Sequence, residues 1–201
     1  MGQLYERWCL WANAGAMEPE APFLLFDDAR PGGAPARLYQ RPVRQIVARH
    51  GWQVPDALEQ LQRAVREGAH AAGFLAYEAG YALDPALAAS AREGDGPLLW
   101  FGLFDGHEEV DAGDWLPDPA GAFATEPQPR LHERDYLAAA EEVREHLFAG
   151  DFYQANLAFP CDLRLRGHPL ALYARLRRSA QAGWGGVVRH PGGWLLSLSP
   201  E

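Results

Sequence analysis

The chain has 201 residues, 48% of them hydrophobic and 22% charged, enough for one large domain or two small ones. Its formal net charge of −9 excludes a general nucleic-acid surface, because phosphate binding needs a basic stripe. All 18 basic residues are arginine, which codon bias in a GC-rich genome explains first, and which leaves the chain no lysine nucleophile and no P-loop lysine.

The start, "MGQLYERWCLWANAGAMEPEAPF", is broken by Glu6 and Arg7 and lacks a basic region followed by a continuous apolar run, so it does not read as a signal peptide. "PFLLFDDA" (Pro22 to Ala29) reads as a short strand running into a turn at "RPGGAP". "ARLYQ" is its hairpin partner, and "VRQIVA" a third short strand. Pro55 opens a helix whose apolar positions Leu58, Leu61 and Val65 fall at helical spacing, with Gly68 just past its end. "AAGFLAYEAG" follows as a strand of small and aromatic residues, and "DPALAAS" as a short helix. "PLLWFGLF" (Pro97 to Phe104) is apolar on both faces and predicts a central strand.

From Asp105 to Arg130 the chain turns acidic and rich in Pro and Gly, which fits a linker or long surface crossing, or equally a large loop within one domain. The strongest helix signal comes next, in "ERDYLAAAEEVREHLFAG". Tyr136, Ala140, Val143 and Leu147 form one stripe, Glu133 and Asp135 sit in the first turn, and Gly150 caps the end. "FYQANLAFPCDLRL" predicts a long strand with Pro160 at a bulge or edge. "HPLALYARLRR" is a helix with proline near its start. "WGGVVRH", "PGG" and "WLLSLSPE" then make a hairpin turning at Pro191 to Gly193. In that last strand Trp194, Leu196 and Leu198 point one way and Leu195, Ser197 and Ser199 the other. The expected fold class is α+β, with mixed, mainly antiparallel sheets and packed helices.

Several chemistries find no support. Cys9 and Cys161 lack metal-site spacing and read as free thiols in a reducing cytoplasm. His107, Glu108 and Glu109 are adjacent rather than one helical turn apart, so a histidine metal site is not indicated. No glycine run stands as G-x-G-x-x-G between a strand and a helix, and Ser197 and Ser199 sit on no nucleophile elbow. No stretch approaches the length of a membrane span, so a cytoplasmic protein with neither membrane nor nucleic acid as partner is expected. Glu78, within "AYEAGY", interrupts an apolar strand, and a structural hydrogen bond is the preferred reading of it over a functional role.

"GDFYQANLAF" (Gly150 to Phe159) resembles the G-D-x-Y-Q-x-N-L segment of the chorismate-utilising enzymes, and "LLSLSPE" resembles that family's strand ending in Ser-Pro-Glu. Two motifs in the right order, about forty residues apart, are far more specific than either alone. The N-terminal half, from "PFLLFDDARPGGAPARLYQRPVRQIVA" through "GFLAYEAGYAL" to "PLLWFGLFD", resembles the aminodeoxychorismate synthase component I branch, in the bacterial form often fused to aminodeoxychorismate lyase.

The resemblance implies two parts: residues 1–120 as the N-terminal region of the anthranilate and aminodeoxychorismate synthase type, and residues 121–201 as the truncated beginning of the chorismate-binding domain. It makes Glu201 a candidate general acid for the hydroxyl leaving chorismate, a role needing a carboxyl kept protonated by its surroundings. The nucleophilic lysine of aminodeoxychorismate synthases lies about fifteen residues further on, in Pro-Ile-Lys-Gly-Thr, outside this chain. The carboxylates that bind Mg2+ come later still. Chorismate, a glutamine amidotransferase subunit and a fused downstream lyase are the implied partners.

Anthranilate synthases carry Leu-Leu-Glu-Ser, which helps bind feedback tryptophan, where this chain has "LLFDDA" with Asp27 and Asp28. A second carboxylate there would repel the amino acid's carboxylate. Many relatives also carry Pro-x-Pro-Tyr where this chain has "SAQAGWGG". Both departures argue against tryptophan feedback. Anthranilate synthase component I is the alternative within the class, and a non-catalytic amino-acid-binding or amidotransferase-docking module the alternative outside it. A remnant with no function of its own would aggregate through the open edge of its last strand.

Overall fold

The computed structural model describes residues 21–91, 94 and 96–199. Strand β1 (Phe23–Asp27) turns through Gly32 into β2 (Ala36–Gln40), and β3 (Arg44–Ala48) follows. Gly32 has φ +74°, a left-handed conformation that glycine adopts at no steric cost. Helix α1 (Val54–Arg66) has proline in its first turn and leads to β4 (His70–Leu75). Two short 3₁₀ segments, Tyr77–Ala82 and Pro85–Ser90, precede β5 (Leu99–Phe104). Then come β6 (Glu108–Val110), α2 (Ala112–Trp115), β7 (Ala122–Ala124), β8 (Gln128–Pro129) and α3 (Glu133–Ala149). The chain continues through β9 (Cys161–Asp162), β10 (Leu165–Gly167), α4 (Pro169–Ala180), β11 (Trp184–His190) and β12 (Gly193–Ser199).

Two antiparallel sheets face each other. The larger has the order β12-β11-β1-β2-β6 and the smaller β3-β5-β4, while β7 with β10 and β8 with β9 form small ladders. The period of two along each strand assigns its side chains. Phe23, Leu25, Leu38, Val187, Trp194 and Leu196 face α4, joined by Leu172 and Tyr173 from that helix. Their neighbours Leu24, Tyr39 and Val188 face the other way, onto Ala72, Trp100 and Phe104 of the smaller sheet. The far side of the smaller sheet, with Ile46, Leu99 and Leu103, is covered by Val54, Ala57, Leu61 and Ala64 of α1. The order of layers is therefore helix, sheet, sheet, helix. Each buried leucine contributes about 1.5–3 kcal/mol of transfer free energy. The buried Trp100 indole is satisfied, its Nε1–H donating to Gln45 Oε1 at 3.0 Å.

The α+β class and the mainly antiparallel pairing agree with the sequence reading. Strands from both sides of residue 120 share the larger sheet, since β11 pairs with β1. Several local expectations are corrected. The buried stripe of α1 is Val54, Ala57, Leu61 and Ala64, whereas Val65 is exposed; small alanines, not the larger apolar residues, allow close approach to the sheet. The run expected as one strand through Glu78 ends at Leu75. Glu78 stands half-buried in the first turn of a 3₁₀ segment, because the alanines and glycines around it serve a tight turn as well as a strand.

Residues 105–130 are neither linker nor mere loop, as β6 extends the main sheet and β7 pairs with β10. The acidic composition reflects Asp111 and Asp118, whose side chains cap short helical turns, and Glu108 and Glu109 on an edge strand. Charge on a short edge strand is how sheets discourage further pairing. The long strand expected over 152–165 is also absent: only β9 and the start of β10 are strands there.

Candidate functional site

Glu201, the candidate general acid, lies outside the described residues. The strand leading to it is described. Ser199 pairs with Trp184, and Gly185 pairs with both Leu198 and Asp27, so the C-terminal end of β12, the start of β11 and the end of β1 meet at one end of the sheet. Ser199, the last described residue of β12, thus lies at the same end of the sheet as the aspartates singled out in the sequence, with β11 between them.

Asp27 continues the α4-facing side of β1, and its carboxylate is 1% exposed. Burying a charge there is tolerable only with strong partners. It accepts from the Tyr173 hydroxyl at 3.2 Å and from Arg177 Nη2 at 3.1 Å, while Arg177 Nε donates to the same carboxylate. Tyr173 and Arg177 are one helical turn apart on α4, which brings hydroxyl and guanidinium to one face. Burial first, then the neighbouring Asp27 charge, pushes the Tyr173 hydroxyl well above the usual phenol range. The hydrogen bond to Asp27 likewise raises Arg177. Gly185 lies directly beneath, where a Cβ would stand 2.6 Å from the Tyr173 hydroxyl oxygen.

Asp28 has its own partner. Arg30 grips it in a fork, Nε to Oδ1 at 2.8 Å and Nη2 to Oδ2 at 2.6 Å, with the Arg30 backbone N–H adding a third bond at 3.2 Å. This holds the Asp28 carboxyl at a pKa of about 2. The Arg30 guanidinium rests on Gly183, where a Cβ would come within 2.9 Å of it. Ala29 N–H to Ala182 O, at 2.9 Å, ties the same two segments together. Each aspartate thus has its own guanidinium partner, Arg177 for Asp27 and Arg30 for Asp28. Tyr173, Arg177 and Arg30 were missed in the sequence, although the four-residue spacing of the first two was a signal.

The Gly150–Phe159 motif is placed separately. Gly150 takes φ +81° as the left-handed cap of α3, with its N–H to Leu147 O at 3.2 Å. Asp151 turns back onto His146, with Nδ1 to Oδ2 at 2.6 Å, and that contact raises the imidazole pKa. Tyr153, Gln154 and Asn156 are exposed. Among the described residues no three His, Cys, Asp or Glu side chains converge as a metal centre, and His107 with its neighbouring glutamates is no exception. Magnesium therefore finds no ligand set among the described residues. Cys161 is an exposed free thiol, and Cys9 lies outside the described residues. No helix among the described residues is long and apolar enough to cross a membrane.

The chain is 51% identical over 45 residues to anthranilate synthase component 1 of Methanothermobacter thermautotrophicus, 22% of this chain and 10% of that protein. It is 32% identical over 95 residues to anthranilate synthase component 1 of Haloferax volcanii, covering 47% of this chain and 18% of that protein. It is 26% identical over 92 residues to aminodeoxychorismate synthase component 1 of Bacillus subtilis, covering 46% and 19%. The matched stretches thus span about a tenth to a fifth of these relatives. The chorismate binding enzyme family itself matches residues 21–201, which takes in every strand and helix described above. With both motifs, the double sheet and nearly its whole length inside that match, the chain belongs to the chorismate binding enzyme family.

Proposed function

We propose that the chain is the N-terminal portion of an aminodeoxychorismate synthase component I, a cytoplasmic enzyme of 4-aminobenzoate and folate synthesis. The whole enzyme exchanges the hydroxyl of chorismate for the nitrogen of ammonia, giving 4-amino-4-deoxychorismate and water. Ammonia comes from a glutamine amidotransferase subunit, and magnesium is held by carboxylates outside this chain. Glu201 supplies the proton to the departing hydroxyl. The family match supports chorismate as substrate. The choice within the family rests on the end of β1, where Asp27 and Asp28 are each locked to an arginine in the place that serves feedback tryptophan in anthranilate synthases.

Anthranilate synthase component I is the second reading, favoured by the relatives of that name that match. The two differ in product. With the complete polypeptide, chorismate, ammonium and magnesium, aminodeoxychorismate is expected, read as 4-aminobenzoate after treatment with a lyase. Fluorescent anthranilate with release of pyruvate would replace the first reading by the second, and neither product would sink both. The 201-residue chain alone is expected to turn over no chorismate, since it has no lysine to act as nucleophile.

A further inference from the structure

The chain passes from the smaller sheet to the larger where it leaves β5 for β6. His70, the first residue of β4, pairs across the ladder with Phe104, the last residue of β5. His107 lies in the turn that follows, just before Glu108 of β6, which pairs with Leu38 of β2. The crossing brings these two histidines, distant in sequence, to one rim, with 5.9 Å between their ring centroids. Both residues are exposed. His107 is backed by the ring of Tyr39 at 5.2 Å, and the buried Tyr39 is itself held against Phe104 at 5.3 Å. Strand pairing places one imidazole and a packed aromatic ring places the other, so the pair is held ready before any ligand arrives. Among the described residues neither imidazole is used in a hydrogen bond or an ion pair, in contrast to His146, His168 and His190.

We propose that His70 and His107 form a two-imidazole site for a divalent transition-metal ion at the rim between the two sheets. Neutral imidazole is a favoured ligand of zinc, copper and nickel ions, with metal–nitrogen distances of about 2.0–2.1 Å. With each nitrogen about 1 Å from its ring centre, two imidazoles at a tetrahedral angle have centroids about 5 Å apart. The observed 5.9 Å closes to that value by a side-chain movement of less than about 1 Å. Among the described residues no third His, Cys, Asp or Glu side chain converges on the pair, so water fills the remaining positions and the site is an open one. The chain around His107 carries Asp105, Glu108 and Glu109, whose charge favours a cation here. Two nitrogen donors suit magnesium poorly, since that ion takes oxygen ligands, and the site stands independently of the chorismate reading. A bound ion ties β4 to the crossing between the sheets and stabilises the fold in proportion to its occupancy.

The test is calorimetric titration of Zn2+ into the full 201-residue chain, prepared without a polyhistidine tag. One ion binds per chain, and excess Mg2+ leaves the binding unchanged. His70→Ala and His107→Ala each weaken it at least about tenfold, because the second imidazole acts as an intramolecular ligand. His132→Ala, which removes an exposed histidine at the start of α3, leaves it as in the parent chain. The same titration followed by NMR needs no variant to fold: the ring protons of His70 and His107 shift together, and those of His132 stay in place. No heat of binding, equal affinity in the parent and either alanine variant, or unmoved ring protons at His70 and His107 would each overturn the site. So would displacement of Zn2+ by Mg2+, or half an ion per chain with a Zn2+-dependent dimer.

Discussion

Replacing Asp27 by Asn keeps the shape of the side chain and removes its charge. Arg177 is then left 23% exposed with no carboxylate facing it. The amide has one acceptor oxygen where the carboxylate had two, so at least one of the donors from Tyr173 and Arg177 now meets an N–H. Breaking a fully buried pair costs about 3–5 kcal/mol, and the partial access of Arg177 to water lowers this to about 2–3 kcal/mol. For a domain of this size that is a fall of roughly 5–10 °C in melting temperature. Urea unfolding followed by tryptophan fluorescence measures it, and the denaturant dependence should be unchanged. Asp28→Asn is the control, because its partner Arg30 is 59% exposed and such pairs contribute about 1 kcal/mol or less. Asp27→Asn within 1 kcal/mol of the parent chain, or Asp28→Asn equally damaging, would refute the view that Asp27 and not Asp28 ties β1 to α4.

Gly185→Ala should cost about 2–3 kcal/mol, because its Cβ would lie 2.6 Å from the oxygen of Tyr173, a residue wholly buried and unable to step aside. Adding Tyr173→Phe removes the clashing oxygen, so the double variant should be more stable than the sum of the single changes; strict additivity would mean that the clash lies elsewhere. His190 is packed between the sheets against Phe74 and Trp100, and burial, with Arg189 and Arg49 nearby, lowers its pKa to about 4. Its neutral form is the one that folds, while the unfolded chain takes up the proton near pH 6.5, so stability falls as pH drops from 6.5 to 4. The loss is about 3 kcal/mol at most, and His190→Gln should flatten the slope in that window. An unchanged slope would assign it to other groups.

The sequence by itself determined the elements with a strong local signal. Strand β1, its partner β2, the central β5, helices α3 and α4 and the last hairpin stand where periodicity, proline and Gly150 place them. The two motifs that carry the family are contiguous stretches, and so were legible without a fold. Partnership was not. Nothing local says that β3 leaves its neighbour β2 for a second sheet, or that β6 comes back from an acidic, proline-rich stretch to close the first. Asp27 and Arg177 are 150 positions apart and meet only because β11 lies between β1 and β12 and packs them under α4. Residues 152–159 show the same division from the other side, since their side-chain pattern is that of a strand and they remain irregular. Period and propensity are properties of a segment, whereas a strand is a pairing, and hydrogen bonds across a ladder form only when tertiary structure supplies the neighbour.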